Sequence, residues 1–352
     1  MAFAAVPEES KKQINKAGAI LTLINPSQAE LSWAVGLADR WRACHAYPIN
    51  TFQATLRTKL RAYGGDPIAA QRLKRMPTII DKLKRYPNMK LTTMQDIGGV
   101  RAILNSVRDV YRLSGEYRDS IRFPHELVDQ KDYLQNPRDE DGYRSIHLIY
   151  RYRNSQAKDY NGLRIELQIR TRLQHTWATA VETMGTLLGQ ALKSRLGDRE
   201  WLDFFALISS IFAIDERYPT PPRFNGRSRE DLSASVASLE ASLDALTLMR
   251  GLSVAANEIY KDDSRKGWSY HLIILNSLKR TLQIKPYDRD SLDQALADYA
   301  SIEAEAAKGE KIEPVLVSAG PMQKLRRAYP NFFLDINEFG KKVKKICTDA
   351  RK

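Results

Sequence analysis

Residues 163–170 read Leu-Arg-Ile-Glu-Leu-Gln-Ile-Arg, an octet in which apolar and polar side chains alternate. A period of two predicts a strand with the aliphatic residues on one face and Arg164, Glu166, Gln168 and Arg170 on the other. A carboxylate set between guanidinium groups and a carboxamide suits a metal-bound polyphosphate, with Glu166 holding Mg²⁺ while the arginines neutralise phosphate oxygens. The competing interpretation is an exposed sheet face with salt bridges.

Further residues outside the octet have side chains suited to chemistry. Asp96 stands before two glycines and is either a turn residue or a metal ligand. Tyr143 follows a polar loop and either stacks on a base or packs against its own sheet. His175, just after the octet, is a structural histidine in the simplest interpretation. Four cations have the spacing to follow a triphosphate along a helix; they are Arg72, Lys74, Lys82 and Arg85.

Composition indicates a globular chain with a polyanionic partner. The 352 residues are 43% hydrophobic and 28% charged, and the length allows two domains. The net charge is +13, and residues 51–90 contain ten lysines and arginines against two aspartates. Such an imbalance favours nucleic acid or nucleotide as a partner, although a solvated helix face gives the same pattern.

Several classes of protein are disfavoured by the sequence. No apolar run approaches the roughly 20 residues of a membrane span, so no membrane partner is expected. The first residues lack the apolar core of a secretory signal. Cys44 and Cys347 are far apart and belong to no CxxC motif. We therefore expect a protein of the reducing cytoplasm.

Helices and strands alternate in the first half of the chain, which predicts an α/β layer structure. A capping box at Ser27 predicts a helix over 28–45, and Asn50-Thr51 predicts the start of a second helix. Residues 67–85 are predicted to be helical with a break near Met76, since Pro77 interrupts the pattern. The other predicted elements are a strand at 99–104, a helix at 106–118, strands at 124–132, 143–153 and 163–170, and a helix at 172–190.

The second half differs in character. Residues 201–214 read as a buried helix, and the prolines at 219–222 mark a break. The rest is predicted as a helix or helical hairpin at 229–262, a β-hairpin at 268–284, a helix at 290–308, a strand at 314–318 and two small helical pieces. We therefore predict a catalytic domain at 1–195, a linker with the buried helix at 196–228, and a regulatory domain at 229–352.

Three motifs taken together resemble the RelA/SpoT-type alarmone synthetase domain over residues 50–190. They are Asp96-Ile-Gly-Gly-Val-Arg101, Gly142-Tyr-Arg-Ser-Ile-His147, and Ile165-Glu-Leu-Gln-Ile-Arg-Thr followed by His175 and Trp177. The resemblance implies a nucleotidyltransferase-like fold, a mixed sheet flanked by helices. It also implies an enzyme that transfers the β,γ-pyrophosphate of ATP to a ribose 3′-hydroxyl.

The resemblance assigns roles by position. Asp96 and Glu166 correspond to the Mg²⁺-binding carboxylates, and Glu166 also to the acceptor of the hydroxyl proton. The residues expected around ATP are Arg72, Lys74, Lys82, Arg85 and Arg101. Those expected around the acceptor are Tyr143, His147, Gln168 and Arg170.

One departure from the family concerns the acceptor. Members that use guanine nucleotides usually carry Pro-Lys-x-Asn-Gly-Tyr, whereas residues 137–143 read Pro-Arg-Asp-Glu-Asp-Gly-Tyr. The longer, acidic loop should repel the phosphates of GTP or GDP. The loop and residues 163–182 are similar to the toxic small alarmone synthetases, and this resemblance implies the 3′-CCA end of tRNA as the acceptor. The alternatives are a guanosine tetra/pentaphosphate synthetase that uses GTP or GDP, and a catalytically inactive nucleic-acid-binding module.

The C-terminal part is similar to the CapRel type, a fused toxin–antitoxin that senses phage capsid protein. In that type a Tyr-x-x-Tyr motif covers the ATP site, and this chain has Tyr329 and Phe332 in the corresponding positions. The resemblance implies that the C-terminal domain inhibits the enzyme until a phage protein binds. A simpler interpretation is that both aromatics belong to the core of a small domain.

Overall fold

A computed structural model of the chain describes residues 3–188, 192, 197–249, 270–276, 281–288, 290–307, 312–318 and 336–350. These residues fall into two compact units, neither continuous in sequence. The first is drawn from Met1–Ala102, Tyr111–Lys131 and His147–Ile169. The second is drawn from Ile103–Val110, Asp132–Ile146 and Arg170–Lys352.

Helices make up most of the described elements. They are α1 (Lys11–Ile20), α2 (Gln28–Ala43), α3 (Ala46–Leu60), α4 (Met76–Arg85), α5 (Val107–Arg118), α6 (Arg172–Leu187), α7 (Arg199–Asp215), α8 (Arg229–Leu243), α9 (Leu292–Ala307) and α10 (Asn337–Asp349). Short 3₁₀ turns occupy Leu91–Thr93, Lys158–Tyr160 and Pro222–Phe224.

Two sheets contain the described strands. The strands are β1 (Ile68–Leu73), β2 (Gly98–Leu104), β3 (Glu126–Asp132), β4 (Ile146–Arg151), β5 (Arg164–Thr171), β6 (Tyr270–Asn276), β7 (Thr281–Tyr287) and β8 (Ile312–Ser318). The larger sheet has the order β1-β2-β5-β4-β3, and the smaller has the order β7-β6-β8. A five-stranded sheet with helices confirms the predicted α/β class.

The octet forms β5, the central strand of the larger sheet. Its aliphatic face is fully packed, with Leu163 3% exposed and Ile165, Leu167 and Ile169 at 0%. Glu166 on the opposite face is only 9% exposed, which argues against a solvated, salt-bridged surface. The predicted strand is therefore confirmed, and both of its faces are covered.

Local signals start several helices where the sequence predicts them. Ser27 caps α2 with the reciprocal hydrogen bonds of a capping box, as expected. The predicted new start at Met76 is also confirmed, because α4 begins there with a proline in its first turn. Helix α1, which has its own capping box at Ser10, was not predicted.

Two predictions in the first unit are wrong. Residues 68–73 form the edge strand β1 and not a helix, because pairing with β2 outweighs the helix propensity of this short segment. Helix α3 begins at Ala46, before the predicted cap at Asn50-Thr51. Pro48 lies in its first turn, where no N–H is needed, and Thr51 Oγ1 donates to the carbonyl of Tyr47 (3.3 Å) inside the helix.

Other boundaries differ by a few residues or fall partly outside the described ranges. Strand β4 begins at Ile146 and not at Tyr143. Helix α7 matches the predicted buried helix and buries Trp201, Phe204 and Phe205. Helix α8 ends at Leu243, since Asp244 adopts the left-handed conformation (φ 48°).

The predicted β-hairpin is confirmed by antiparallel pairing of β6 with β7, in register from Tyr270–Tyr287 to Asn276–Thr281. Strand β8 pairs antiparallel on the other side of β6, and α9 packs on this sheet through Ala295, Tyr299 and Ile302. Within the described part of the chain, no helix has the length and apolar character needed to cross a bilayer.

Candidate active site

Asp96 lies just before β2, and lysines engage both of its carboxylate oxygens. Lys74 Nζ donates to Oδ2 and Lys82 Nζ donates to Oδ1, each at 2.8 Å. Lys74 follows β1, where its N–H donates to the carbonyl of Ile97 (2.7 Å), and Lys82 lies on α4. Burial alone would raise the pKa of Asp96, but the two ammonium groups hold it well below its ordinary value. Asp96 is therefore ionised.

The lysines around Asp96 form a concentrated positive charge. Burial lowers the pKa of Lys74, the charge of Asp96 opposes this, and the charges of Arg72 and Lys82 lower it further. Two lysines at Asp96, with Arg72 near Lys74, carry an excess of positive charge that a polyphosphate would neutralise. Arg72, Lys74 and Lys82 thus lie in one region of the first unit, and their role around ATP stays a prediction.

Glu166 is a second carboxylate of the first unit, and it is buried, whereas Asp96 is half-buried. Its Oε1 lies 2.9 Å from His147 Nδ1, and its Oε2 accepts a hydrogen bond from Gln168 Nε2 (2.8 Å). Arg101 Nε on β2 donates to Gln168 Oε1 (3.4 Å). Burial raises the pKa of Glu166, but His147 and Gln168 lower it more, so the pKa lies below its ordinary value.

Asp96 and Glu166 interact with each other. The negative charge of Asp96 raises the pKa of Glu166, against the effect of His147. Strands β2 and β5 are neighbours, which brings the two carboxylates to one region of the sheet. A divalent cation between them would remove this repulsion.

The two carboxylates fit Mg²⁺ in the manner of nucleotide-using enzymes. Mg²⁺ is usually held by one or two carboxylates together with substrate phosphates and water. Among the described residues, no group of three or more His, Cys, Asp or Glu side chains forms an all-protein metal site. Oxygens of a nucleotide would therefore have to complete the shell of a cation held by Asp96 and Glu166.

Two predicted cations have other partners. Arg85 forms an ion pair with Asp81 one turn earlier on α4 (2.8 Å), and its guanidinium lies 5.6 Å from the ring centre of Tyr86. Arg164 Nη1 donates to the carbonyl of Thr93 (2.5 Å). Neither interaction leads to Asp96, so these two arginines are the weaker candidates for contacts with phosphate.

Tyr143 belongs to the second unit and ends the acidic loop, residues 137–143. Its ring has edge contacts with Tyr133 (5.5 Å between centres) and Trp177 (6.2 Å). The guanidinium of Arg138 lies 4.5 Å from the ring centre. The ring is half-buried and fixed by these neighbours, so both predicted roles, packing and base stacking, remain compatible with it.

The acidic loop presents less negative charge than its sequence suggests. Asp141 is 4% exposed and accepts from Arg138 Nε (3.1 Å) and from the N–H of Tyr143 (3.0 Å). Asp139 accepts from the N–H of Arg223 (2.7 Å). Asp139 and Asp141 are thus engaged by groups of the protein itself, and Glu140 is exposed.

One buried ion pair of the second unit was missed by the sequence analysis. Arg144, 2% exposed, lies 2.9 Å from Glu216 Oε2, at the C-terminal end of α7. No motif marks Glu216, and the pairing of positions so distant in sequence could not be foreseen. Arg170 is also buried (3%). Tyr329 and Phe332, predicted as autoinhibitory, lie outside the described residues.

Comparison with known proteins identifies the first half of the chain. Residues 71–184 match the family described as "Region found in RelA / SpoT proteins". The chain is 34% identical over 110 residues to GTP pyrophosphokinase YjbM of Bacillus subtilis, which covers 31% of this chain and 51% of YjbM. It is 30% identical over 146 residues to GTP pyrophosphokinase YwaC of the same organism, which covers 39% of this chain and 67% of YwaC.

A solved structure is also similar to part of this chain. The small alarmone synthetase 1 of Bacillus subtilis, crystallised with its product pppGpp, is similar over 51% of this chain and 92% of that chain, at 23% identity and a TM-score of 0.43. The chain spans about half the length of YjbM and two thirds of YwaC. The resemblance found in the three motifs is confirmed, and the chain belongs to the RelA/SpoT family.

Proposed function

We propose that this protein is an ATP-dependent pyrophosphokinase that transfers the β,γ-pyrophosphate of ATP to a 3′-hydroxyl. The observation that supports it most is the pair of carboxylates, half-buried Asp96 and buried Glu166, which both have lowered pKa values and lie near a group of lysines. Such a transfer depends mainly on charge neutralisation and positioning, which this arrangement supplies. The family relationship to two GTP pyrophosphokinases supports the same reaction type.

Each side chain has a role that follows from its contacts. Asp96 and Glu166 would hold Mg²⁺, which neutralises phosphate charge when bound. Lys74 and Lys82 are long enough to turn from Asp96 to the phosphates of ATP. Glu166, ionised and oriented by His147, would accept the proton of the attacking hydroxyl.

The proposed acceptor is the 3′-CCA end of tRNA. The net charge of +13 and the basic residues between positions 51 and 90 suit the backbone of an RNA. The acidic loop still differs from the Lys-containing loop of guanine-nucleotide users, even though Asp139 and Asp141 have partners within the protein. A guanine nucleotide is the second candidate, because the curated relatives are named for GTP.

Regulation by the C-terminal region remains part of the proposal. Tyr329 and Phe332 would cover the ATP site, and a phage protein bound to the C-terminal region would release it. A Tyr329→Ala variant should then slow the growth of cells that express it, whereas the wild-type chain should not. Equal growth of the two strains would count heavily against this regulation.

A label-transfer assay tests the acceptor. Full-length chain and its Tyr329→Ala variant are incubated with Mg²⁺, γ-labelled ATP and either GDP, GTP or bulk tRNA. Label in tRNA is the expected result, and removal of the terminal adenosine of tRNA should abolish it. Label only in a guanine nucleotide would end the tRNA proposal. If neither form of the chain transfers label to GDP, GTP or tRNA, the proposed pyrophosphokinase activity is refuted.

A further inference from the structure

Helix α7 lies outside residues 71–184, yet it contacts the acidic loop directly within the second unit. Gly142 has a positive φ of 75°, and a Cβ placed on it would lie 3.0 Å from Ala206 Cα and 3.0 Å from Ser209 Cβ. The backbone of the loop therefore rests on the surface of α7, at the residue before Tyr143. Only glycine meets both requirements.

A hydrogen bond from Ser209 fixes this contact. Ser209 Oγ donates to the carbonyl of Gly142 at 2.5 Å, and Ser209 is 3% exposed. The neighbouring Ser210 is equally buried, but its hydroxyl donates to Ala206 O of its own helix (2.8 Å). The two adjacent serines thus differ in one respect, which is whether they hold the loop.

Glu216, just past the end of α7, engages the other side of Tyr143. Its Oε2 lies 2.9 Å from Arg144 Nη1, the residue after Tyr143. It also accepts from Thr171 Oγ1 (2.5 Å) and Gln174 Nε2 (2.9 Å), which together cap the start of α6. Glu216 therefore links the residue after Tyr143 to the end of β5, next to Arg170.

The turn after α7 continues this support. The backbone N–H of Arg223 donates to Asp139 (2.7 Å), and Arg223 Nη2 donates to the carbonyl of Glu140 (3.1 Å). Asp203 of α7 forms an ion pair with Arg223 and so fixes its guanidinium. The acidic loop is thus held along its length by residues between 203 and 223.

We infer that α7 is a positioning element of the acceptor site, with Ser209 and Glu216 as the positioning residues that hold Tyr143 in place for the acceptor nucleoside. The inference rests on the proposed function, in which Tyr143 contacts the acceptor base. It assigns a role in acceptor binding to a segment that the family match does not cover. ATP binding, by contrast, should not depend on it.

Two measurements on the full-length chain test this role. The variants are Ser209→Ala and Glu216→Gln, with Ser210→Ala as the matched control. Hydrogen–deuterium exchange is followed at residues 138–143, where the N–H of Gly142 donates to the carbonyl of Arg138 (2.9 Å). Initial rates, measured with each variant combined with Tyr329→Ala to release the proposed inhibition, then give KM and kcat for tRNA, or for GDP if tRNA is not labelled, at saturating ATP. The KM for ATP is measured at a saturating acceptor concentration.

Ser209→Ala should speed exchange in the loop and raise the acceptor KM about three- to tenfold, the effect of one lost hydrogen bond. Glu216→Gln should have a larger effect, because it removes the negative charge that lies 2.9 Å from the buried Arg144. The KM for ATP should stay within about twofold in both variants. Ser210→Ala should match the wild type in exchange and in both KM values.

The exchange data and the kinetics separate two kinds of failure. Loop exchange in Ser209→Ala and Glu216→Gln equal to that in Ser210→Ala would overturn the inference, whatever the activity. Faster exchange with an unchanged acceptor KM would also overturn it, since the loop would be held without any effect on the acceptor. A chain that labels no acceptor, either as the wild type or with Tyr329→Ala, would refute the proposed function itself.

Discussion

At the scale of single residues, Glu166 combines burial with ionisation. A carboxylate that is 9% exposed normally gains a proton, but His147 and Gln168 satisfy both of its oxygens and favour its charged form. This state suits a ligand of Mg²⁺ and an acceptor of a hydroxyl proton. Replacement of Glu166 by glutamine removes the negative charge and keeps the shape of the side chain, so the effect of the charge can be tested by itself.

Glu166→Gln should lower the transfer rate by about 10² to 10⁴-fold, the range associated with loss of a general base. The glutamine keeps the size of the side chain, so the melting temperature should stay within a few degrees. Label transfer and circular dichroism check these two points. Glu126→Gln is the matched control, because Glu126 lies on β3 in ion pairs with Arg151 and Arg153. Equal activity of the two variants would remove Glu166 from the mechanism.

His45 gives a residue-scale prediction about stability. Burial lowers its pKa from 6.5 to about 4, while its Nδ1 lies 2.8 Å from the carbonyl of Trp41. The unfolded chain takes up this proton near pH 6.5 and the folded chain only near pH 4, so acid favours unfolding. The free energy of unfolding should therefore fall as the pH drops through this window, by up to about 3 kcal/mol from His45.

Urea unfolding at several pH values measures this effect. His125 has a similarly lowered pKa, about 4, and contributes in the same direction, so the wild type alone cannot isolate His45. The comparison is with His45→Gln, whose stability should depend less steeply on pH between 6.5 and 4. Parallel stability profiles for the two chains would show that His45 is not the titrating group.

At the scale of elements, the contact between the acidic loop and α7 can be tested by substitution of two glycines. Gly142 and Gly162 both have positive φ, 75° and 90°. A Cβ on Gly142 would meet α7 at 3.0 Å, whereas a Cβ on Gly162 would meet nothing within 4 Å. An alanine at position 162 would therefore introduce backbone strain alone, whereas an alanine at position 142 would also displace the loop from α7.

Gly162→Ala should cost about 1 kcal/mol of stability, the strain of an alanine at positive φ. Gly142→Ala should cost about 2 to 4 kcal/mol, because overpacking against Ala206 and Ser209 adds to this strain. Chemical denaturation gives both values, and an acceptor titration should show weaker binding for Gly142→Ala alone. Identical costs at the two sites would mean that the loop does not rest on α7.

At the scale of the whole molecule, the core of the second unit extends beyond the residues that match the family. Trp177 of α6 donates its indole N–H to the carbonyl of Phe205 on α7 (2.7 Å). Trp201 and Phe205 are 5% and 1% exposed, and Phe339 of α10 packs 5.8 Å from Phe205. Helix α7 is thus part of a shared hydrophobic core in the second unit.

A chain cut after residue 198 should be poorly soluble and inactive, because the cut exposes the aromatic partners of α7. A chain cut after residue 249 keeps α7 and α8 and loses β6–β8, α9 and α10, of which α10 packs on α6 and α8. It should unfold cooperatively and, if the C-terminal region inhibits, transfer label faster than the full chain. Light scattering, thermal unfolding and label transfer compare the two. A soluble, cooperative and active 1–198 chain would contradict this view of α7.

Elements whose signals are local could be predicted from the amino-acid sequence. Strict alternation predicted β5, a capping box predicted the start of α2, and Pro77 predicted the start of α4. These predictions succeeded because periodicity and capping depend on neighbouring residues alone. The family was recognised from the resemblance of the three motifs that contain Asp96, Tyr143 and Glu166.

Contacts between residues that are distant in sequence depend on the three-dimensional packing and could not be predicted. Residues 68–73 form a strand because they pair with β2. Local propensity does not show whether such a partner strand is present. Lys74 and Lys82 both form ion pairs with Asp96, whereas Arg85 forms an ion pair with Asp81. The pairing of Arg144 with Glu216 arose in the same way, because a buried charge takes whichever opposite charge the packing of helices and loops brings to it.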